Sequence, residues 1–231
     1  MTSKLEMEAL KNRIARYIIP EGIPWFAASL YDKIARTAIT SYYQKMAEEI
    51  VAAIDSGRML DIGTGPGYLP IEIAKRKSNL HIDGIDLTKK MIKIAQKNAL
   101  QASVANQLHF EVGNANKLRF KDNSYDMVIS TGAFHSWKNP VKVINECYRV
   151  LKPGKEAWIY DPARIAYQEN GSSRIRPFRV LDWFTYHWIA LLSKIQPRER
   201  THQEIREIIS QTKFRIYEVS GNRWVFIKLR K

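Results

Sequence analysis

Apolar residues recur at two different spacings along the chain, and the spacing changes near residue 58. Before it, Tyr43, Met46, Ile50 and Ile54 fall three or four apart, which predicts helix within 1–55, stopped by Asp55-Ser56-Gly57. After it, short apolar runs alternate with helical stretches. Met59-Leu60-Asp61-Ile62 reads as a first strand running into Gly63-Thr64-Gly65-Pro66-Gly67, then helix to about Lys77. His81 to Asp86 reads as a second strand. Thr88 to about Ala102 reads as a helix with Met91, Ile94, Ala95 and Asn98 on one face and Thr88 at its cap. Leu108 to Val112 is a third strand, and Met127-Val128-Ile129 lies in a fourth. Val141 to Leu151 is a helix stopped by Pro153-Gly154, and Glu156 to Tyr160 is a fifth strand.

This alternation predicts an α/β fold with a doubly wound, mostly parallel sheet covered on both faces. Residues 162–200 break the rhythm, being rich in Arg and aromatics with a helix near Pro177 to Lys194. Helix 202–211 then precedes strands Phe214–Val219 and Trp224–Leu229, separated by Ser220-Gly221-Asn222, which read as an antiparallel hairpin. The expected organisation is one domain of seven strands. Residues 1–57 form a helical cap, 58–161 the sheet core, 162–200 an inserted lid, and 201–231 the closing helix and hairpin.

A chain of 231 residues, 45% hydrophobic and 26% charged, is ordinary for one soluble domain. The single cysteine, Cys147, excludes an internal disulfide and a cysteine-based zinc site, and reads as a small buried residue of its helix. Histidines 81, 109, 135, 187 and 202 are scattered without ligand spacing, so no metal is expected. Glu6 and Glu8 interrupt any secretory signal, and the most apolar window, Leu181 to Leu192, contains Asp182 and His187. A bilayer span needs about 20 apolar residues, so the expected location is cytoplasmic.

Charge adds a hint about partners. The 37 Lys and Arg exceed the 23 Asp and Glu by 14, which points to an acidic partner such as nucleic acid, an anionic membrane surface or a negatively charged substrate. Residues 1–57 carry seven basic and seven acidic side chains, residues 58–161 carry 16 against 10, and residues 162–231 carry 14 against 6. The excess is densest in the insertion and tail.

Gly63-Thr64-Gly65-Pro66-Gly67 carries the chemistry. Its glycines allow a tight turn and a close approach of backbone to a ligand. A dinucleotide site wants a third glycine where Tyr68 stands, so that fingerprint fails. Asp61 on the strand suits a ligand with an ammonium or sulfonium charge better than a phosphate. Asp86, 19 residues after Gly67, ends the second strand where a carboxylate grips ribose hydroxyls.

Here the chain resembles the class I S-adenosylmethionine-dependent methyltransferases, in the branch of the quinone-biosynthesis and other small-molecule enzymes. Leu60 to Gly67 looks like the family's first motif, and Gly84-Ile85-Asp86-Leu87-Thr88 like its second. Ser124 to Ile129 resembles the fourth-strand motif and Tyr148 to Gly154 the turn before strand five. The resemblance implies that Asp61, Gly63, Thr64, Gly65 and Gly67 hold the methionine part of the cofactor. It implies Asp86 on the ribose, Leu87 and Met91 around the adenine, Asn114-Ala115 at the adenine edge, and Thr131 near its amino group. Where the family commonly has Asp, Asn114 still accepts through its amide oxygen, without the charge. The product would be S-adenosylhomocysteine.

The expected reaction is methyl transfer to a small-molecule acceptor, hydrophobic or acidic, and its main demand is alignment. His135, in the segment after strand four, is the candidate base for an acceptor that arrives protonated; a structural or pocket-wall histidine is the other reading. Tyr17, Tyr31, Trp137, Arg176 and Trp183 complete the candidate substrate set with His135. The stretch Arg174 to Trp188 reads as a substrate lid with a basic rim, as a peripheral membrane contact, or as a helix packed on the sheet. RNA or protein acceptors, and a non-catalytic cofactor-binding subunit, are the alternatives. Against RNA, strand four is followed by Ser130-Thr131-Gly132-Ala133, not by the Pro-Pro-Tyr-type tetrapeptide of many amino-group methylases. Oligomeric state has no signal in the sequence.

Overall fold

The computed structural model describes residues 28, 29, 32, 36, 40–162, 200–221 and 224–231. Its strands are β1 (Gly57–Ile62), β2 (Leu80–Asp86), β3 (Leu108–Val112), β4 (Tyr125–Thr131), β5 (Leu151–Pro162), β6 (Ile216–Ser220) and β7 (Trp224–Arg230). Its helices are α1 (Thr40–Ala53), α2 (Tyr68–Arg76), α3 (Lys89–Gln101), α4 (Pro140–Val150) and α5 (His202–Ser210). The sheet order is β3-β2-β1-β4-β5-β7-β6. Strands β1 to β5 run parallel, and β7 lies antiparallel between β5 and β6. This is the seven-stranded, mostly parallel sheet with an antiparallel C-terminal pair that the hydrophobic pattern predicts.

Both faces are covered, so the central strands carry apolar residues on both sides. On one face Val143, Ile144 and Cys147 of α4 and Ile205 and Ile209 of α5 pack on Leu60, Ile62, Val128 and Ile159. On the other, Met46, Ala47 and Ile50 of α1 and Leu69 and Ile73 of α2 pack on Met59, Ile82, Met127 and Ile129. α3 closes a third cluster with Phe110. Cys147 is buried in the first of these, its thiol pushed up to about 12 by desolvation.

The helix before β5 and β5 itself differ from their expected bounds. α4 ends at Val150 and β5 begins at once at Leu151, running through Pro153-Gly154. Lys231 stitches that stretch: Gly154 N–H donates to its carbonyl at 3.0 Å, and its own N–H donates to Lys155 O at 3.0 Å. The β3–β4 connection holds no helix. Arg149 of α4 pins it instead, donating to Phe120 O at 2.8 Å and Leu118 O at 3.0 Å. Thr88 does sit at the cap of α3, but its hydroxyl makes no cap bond.

Candidate active site

Parallel strands deliver their C-terminal ends to one edge of the sheet, and this edge gathers the polar residues. β1 opens into the glycine loop, β2 ends on Asp86, β4 ends on Thr131 with Gly132 next, and Asp161 lies one residue from the end of β5. The loop is tied down by backbone bonds. Gly63 and Thr64 N–H both donate to Ile85 O at 2.9 Å, and Gly67 N–H donates to Thr64 O at 3.0 Å. Gly65 N–H donates to Asp86 Oδ2 at 3.0 Å, while Thr88 N–H donates to Asp86 Oδ1 at 2.8 Å. Asp86 thus braces the loop from the tip of β2. Burial raises its pKa, and the bonds from Thr88 and Gly65 oppose that rise.

Asp61 is 2% exposed. Desolvation pushes its carboxyl up to about 7, the Asp86 charge adds to the rise, and the Thr64 hydroxyl tempers it. Such a group gains from a cationic partner, because pairing repays the loss of water.

The glycines divide by what a side chain would meet. A Cβ on Gly63 would lie 2.6 Å from Ala133 Cβ, and one on Gly84 2.6 Å from the Phe110 ring. These two are small because protein packs against them. Gly65 (φ +52) and Gly132 (φ +65) take left-handed conformations, and a Cβ on either would meet nothing within 4 Å among the described residues. They border the room that a ligand would fill. The Thr131 hydroxyl is buried at this edge without a hydrogen-bond partner among the described residues. Leu87, 42% exposed, offers an apolar surface just beyond Asp86. Together these features fit a ligand with a cationic end, a diol and a flat base, which is the shape of S-adenosylmethionine.

The expected site residues fare differently. Asp61, Gly63, Thr64, Gly65, Gly67, Asp86, Leu87 and Thr131 converge on this edge. Met91 is fully buried in the first turn of α3, and Ala115 packs on the core. Asn114 Oδ1 accepts from Asn116 N–H at 2.8 Å and from Asn116 Nδ2 at 3.1 Å. The amide oxygen expected to meet adenine is therefore already engaged, which leaves the Asn114 NH2 group as its donor. Trp137, 7% exposed, stacks edge-on against Phe134 in the core, so its indole supports the turn above it. Tyr17, Tyr31, Arg176, Trp183 and the expected lid lie outside the described residues.

His135 occupies a short 3₁₀ turn, Phe134–Ser136, after β4. Its Nδ1 lies 3.0 Å from Asp161 Oδ1. Arg200, buried, donates to Phe134 O at 2.8 Å and lies over the Phe134 ring. Ser136 Oγ donates to Ala133 O at 2.7 Å. Asp161 and Arg200 were not singled out from the sequence. Asp161 carried the signal that found Asp86, a carboxylate at a strand tip; Arg200 carried none.

A second polar group surrounds Tyr68, the residue in the third-glycine position. Its hydroxyl donates to Asp32 Oδ1 at 2.5 Å and accepts from Arg36 Nε at 3.2 Å. Asn98 Nδ2 donates to Pro66 O at 3.0 Å, which anchors the glycine loop to α3.

Among the described residues, no helix is long and apolar enough to cross a membrane. A methyltransferase domain family matches residues 54–213. The ubiquinone/menaquinone biosynthesis C-methyltransferase UbiE of Geotalea daltonii is 26% identical over 197 residues, covering 81% of this chain and 80% of the relative. The demethylmenaquinone methyltransferase of Thermotoga maritima is 28% identical over 123 residues, covering 53% of this chain and 51% of the relative. This chain thus spans about half the length of the second relative. Among solved structures, a Methanococcus maripaludis protein described as an S-adenosyl-L-methionine-dependent methyltransferase superposes with a TM-score of 0.70 at 23% identity, over 88% of this chain and 91% of that one. The family match spans β1 to β5, the glycine loop and both strand-tip carboxylates, Asp86 and Asp161, and the chain belongs to the methyltransferase domain family.

Proposed function

We propose that this chain transfers the methyl group of S-adenosylmethionine to a small hydrophobic acceptor with an ionisable hydroxyl, such as the reduced form of the quinones that its relatives' names print. One observation carries the reading: the braced glycine loop and the His135 turn touch through Gly63 and Ala133. Cofactor and proton acceptor would therefore be neighbours.

In this reading Asp61 and the Gly63–Gly67 loop hold the methionine end, with the Asp61 carboxylate facing the ammonium. Asp86 takes the ribose hydroxyls with the lone pairs left by Gly65 and Thr88. Leu87 packs on the adenine, Met91 supports that wall, Ala115 lines the edge, and the Thr131 hydroxyl meets the adenine rim. Asn114 donates through its NH2 group to a ring nitrogen. Bound there, the cofactor supplies a methyl already activated by its sulfonium. The protein's own tasks are alignment, exclusion of water and removal of one proton. Alignment of this kind supplies about 7–11 kcal/mol of barrier reduction.

The test uses purified protein, methyl-labelled S-adenosylmethionine and a reduced short-chain prenyl naphthoquinone. Label is expected in the quinol fraction, with one S-adenosylhomocysteine formed per methyl. Transfer confined to the RNA or protein fraction of a cell extract would overturn the acceptor class. Absence of S-adenosylhomocysteine binding by calorimetry would overturn the whole reading.

A further inference from the structure

We propose that Asp161 is the positioning residue of the methyl transfer: it holds His135 with its proton on Nδ1 and its Nε2 lone pair directed to an acceptor that must lose an O–H proton. The inference rests on the methyltransferase reading above and narrows its substrate class.

The pairing is set by strand register. Thr131 of β4 lies beside Tyr160 of β5, so Gly132 and Asp161 come next along the two strands. Gly132 N–H donates to Tyr160 O at 2.8 Å, which turns the chain back over the end of β5 and brings His135 to Asp161. Asp161 is 6% exposed, and the His135 side chain keeps 18%. A carboxylate so buried needs a donor. At 3.0 Å the Nδ1–H of His135 supplies it; the opposite tautomer would set two acceptors face to face. The tautomer therefore follows from the carboxylate, and Nε2 keeps its lone pair.

A purely structural role explains less. The turn that carries His135 is already fastened without the imidazole, by Gly132 N–H on Tyr160 O, by Ser136 Oγ on Ala133 O and by Arg200 on the carbonyl of Phe134. The ring–carboxylate bond is superfluous for the backbone and decisive for the ring. Among the described residues, the charged Arg200 lies against the same turn as the pair.

The step balances as follows. A phenolic acceptor gives its hydroxyl proton to His135 Nε2. The electron pair released forms the new bond to the methyl carbon, from the oxygen or from the ring carbon ortho to it. In the second case that carbon's proton passes to the oxygen. The methyl–sulfur bond breaks with its electron pair on sulfur. The imidazolium, stabilised by Asp161, then returns one proton to solvent. An acceptor without such a proton gains nothing from this arrangement.

Two measurements test the assignment. The first is ¹⁵N NMR of the histidines in the S-adenosylhomocysteine complex. His135 is expected to show a protonated Nδ1 and a bare Nε2 near pH 8, and Asp161→Asn to lose that preference. The second is turnover of the prenyl naphthohydroquinone. Asp161→Asn should lower kcat by about 10²–10⁴-fold and move the acid limb of the pH profile, as loss of an oriented base does. S-adenosylhomocysteine affinity should change less than threefold, and Asp161→Glu should recover part of the rate. A protonated Nε2 in the wild type, or an unchanged kcat and pH profile in Asp161→Asn, overturns the proposal. If the wild type binds S-adenosylhomocysteine yet methylates none of the probe, the proposed acceptor class fails, while the NMR result still decides the role of Asp161.

Discussion

Asp61 sets a conflict between stability and binding within one side chain. In the unfolded chain its carboxyl ionises near the ordinary 3.8, and in the folded chain, desolvated and close to Asp86, near 7. Between those values the folded state holds a proton that the unfolded state has lost. Stability from this group therefore falls as pH rises through that window. A difference of about three pH units corresponds to a cost on the order of 4 kcal/mol above pH 7. Asp61→Asn should raise the unfolding temperature of the ligand-free protein at pH 8 and leave it nearly unchanged below pH 4. The same variant should bind S-adenosylmethionine at least tenfold more weakly. An equal thermal gain at both pH values would show that ionisation is not the cause. Asp61 and Asp86 were legible in the sequence because each lies at or next to the end of a strand inside a motif. The partner of His135 was not, because it depends on how β4 and β5 lie in register, which no local pattern encodes.

At the scale of elements, spacing located every strand, and the errors fell at ends and in glycines. Pro153-Gly154 reads as a helix stop, and it is one, yet β5 passes through it because the backbone of Lys231 supplies bonds. Packing also separates Gly65 of the loop from Gly84 within β2. Gly84→Ala would drive a Cβ to 2.6 Å from the Phe110 ring and 2.8 Å from Thr64 Oγ1. Overpacking of this kind costs about 1–3 kcal/mol. Gly65→Ala meets nothing within 4 Å among the described residues, so its stability cost is that of a left-handed alanine, about 1–2 kcal/mol. Its Cβ would stand in the space assigned to the ligand. Thermal unfolding and calorimetry should therefore split the pair. In Gly84→Ala, S-adenosylhomocysteine affinity should survive once the protein is folded. In Gly65→Ala it should drop at least tenfold. Equal losses of affinity in both would dissolve the distinction.

Over the whole molecule, one sheet edge holds the candidate chemistry, while β6 and β7 complete the sheet on the far side of β5. Ligand binding should therefore protect the molecule unevenly. In hydrogen exchange with S-adenosylhomocysteine, amides of Gly63 to Gly67 and of Gly132 to His135 should slow. Those of β6 should not, and uniform slowing would point to global stabilisation instead. The doubly wound architecture was readable because strand and helix periods alternate in order. The antiparallel hairpin was readable too, but its insertion order beside β5 was set by long-range pairing. The contact between Gly63 and Ala133 carries a last implication, for descent. Donor and acceptor halves share one van der Waals surface there, a methyl group against a bare α-carbon. Substitutions at 133–137 can reshape the acceptor side while the donor side is inherited intact. Any side chain at 63 would disturb both at once. Lineages descending from this sequence should therefore diversify on the β4 side of that contact and hold still on the β1 side.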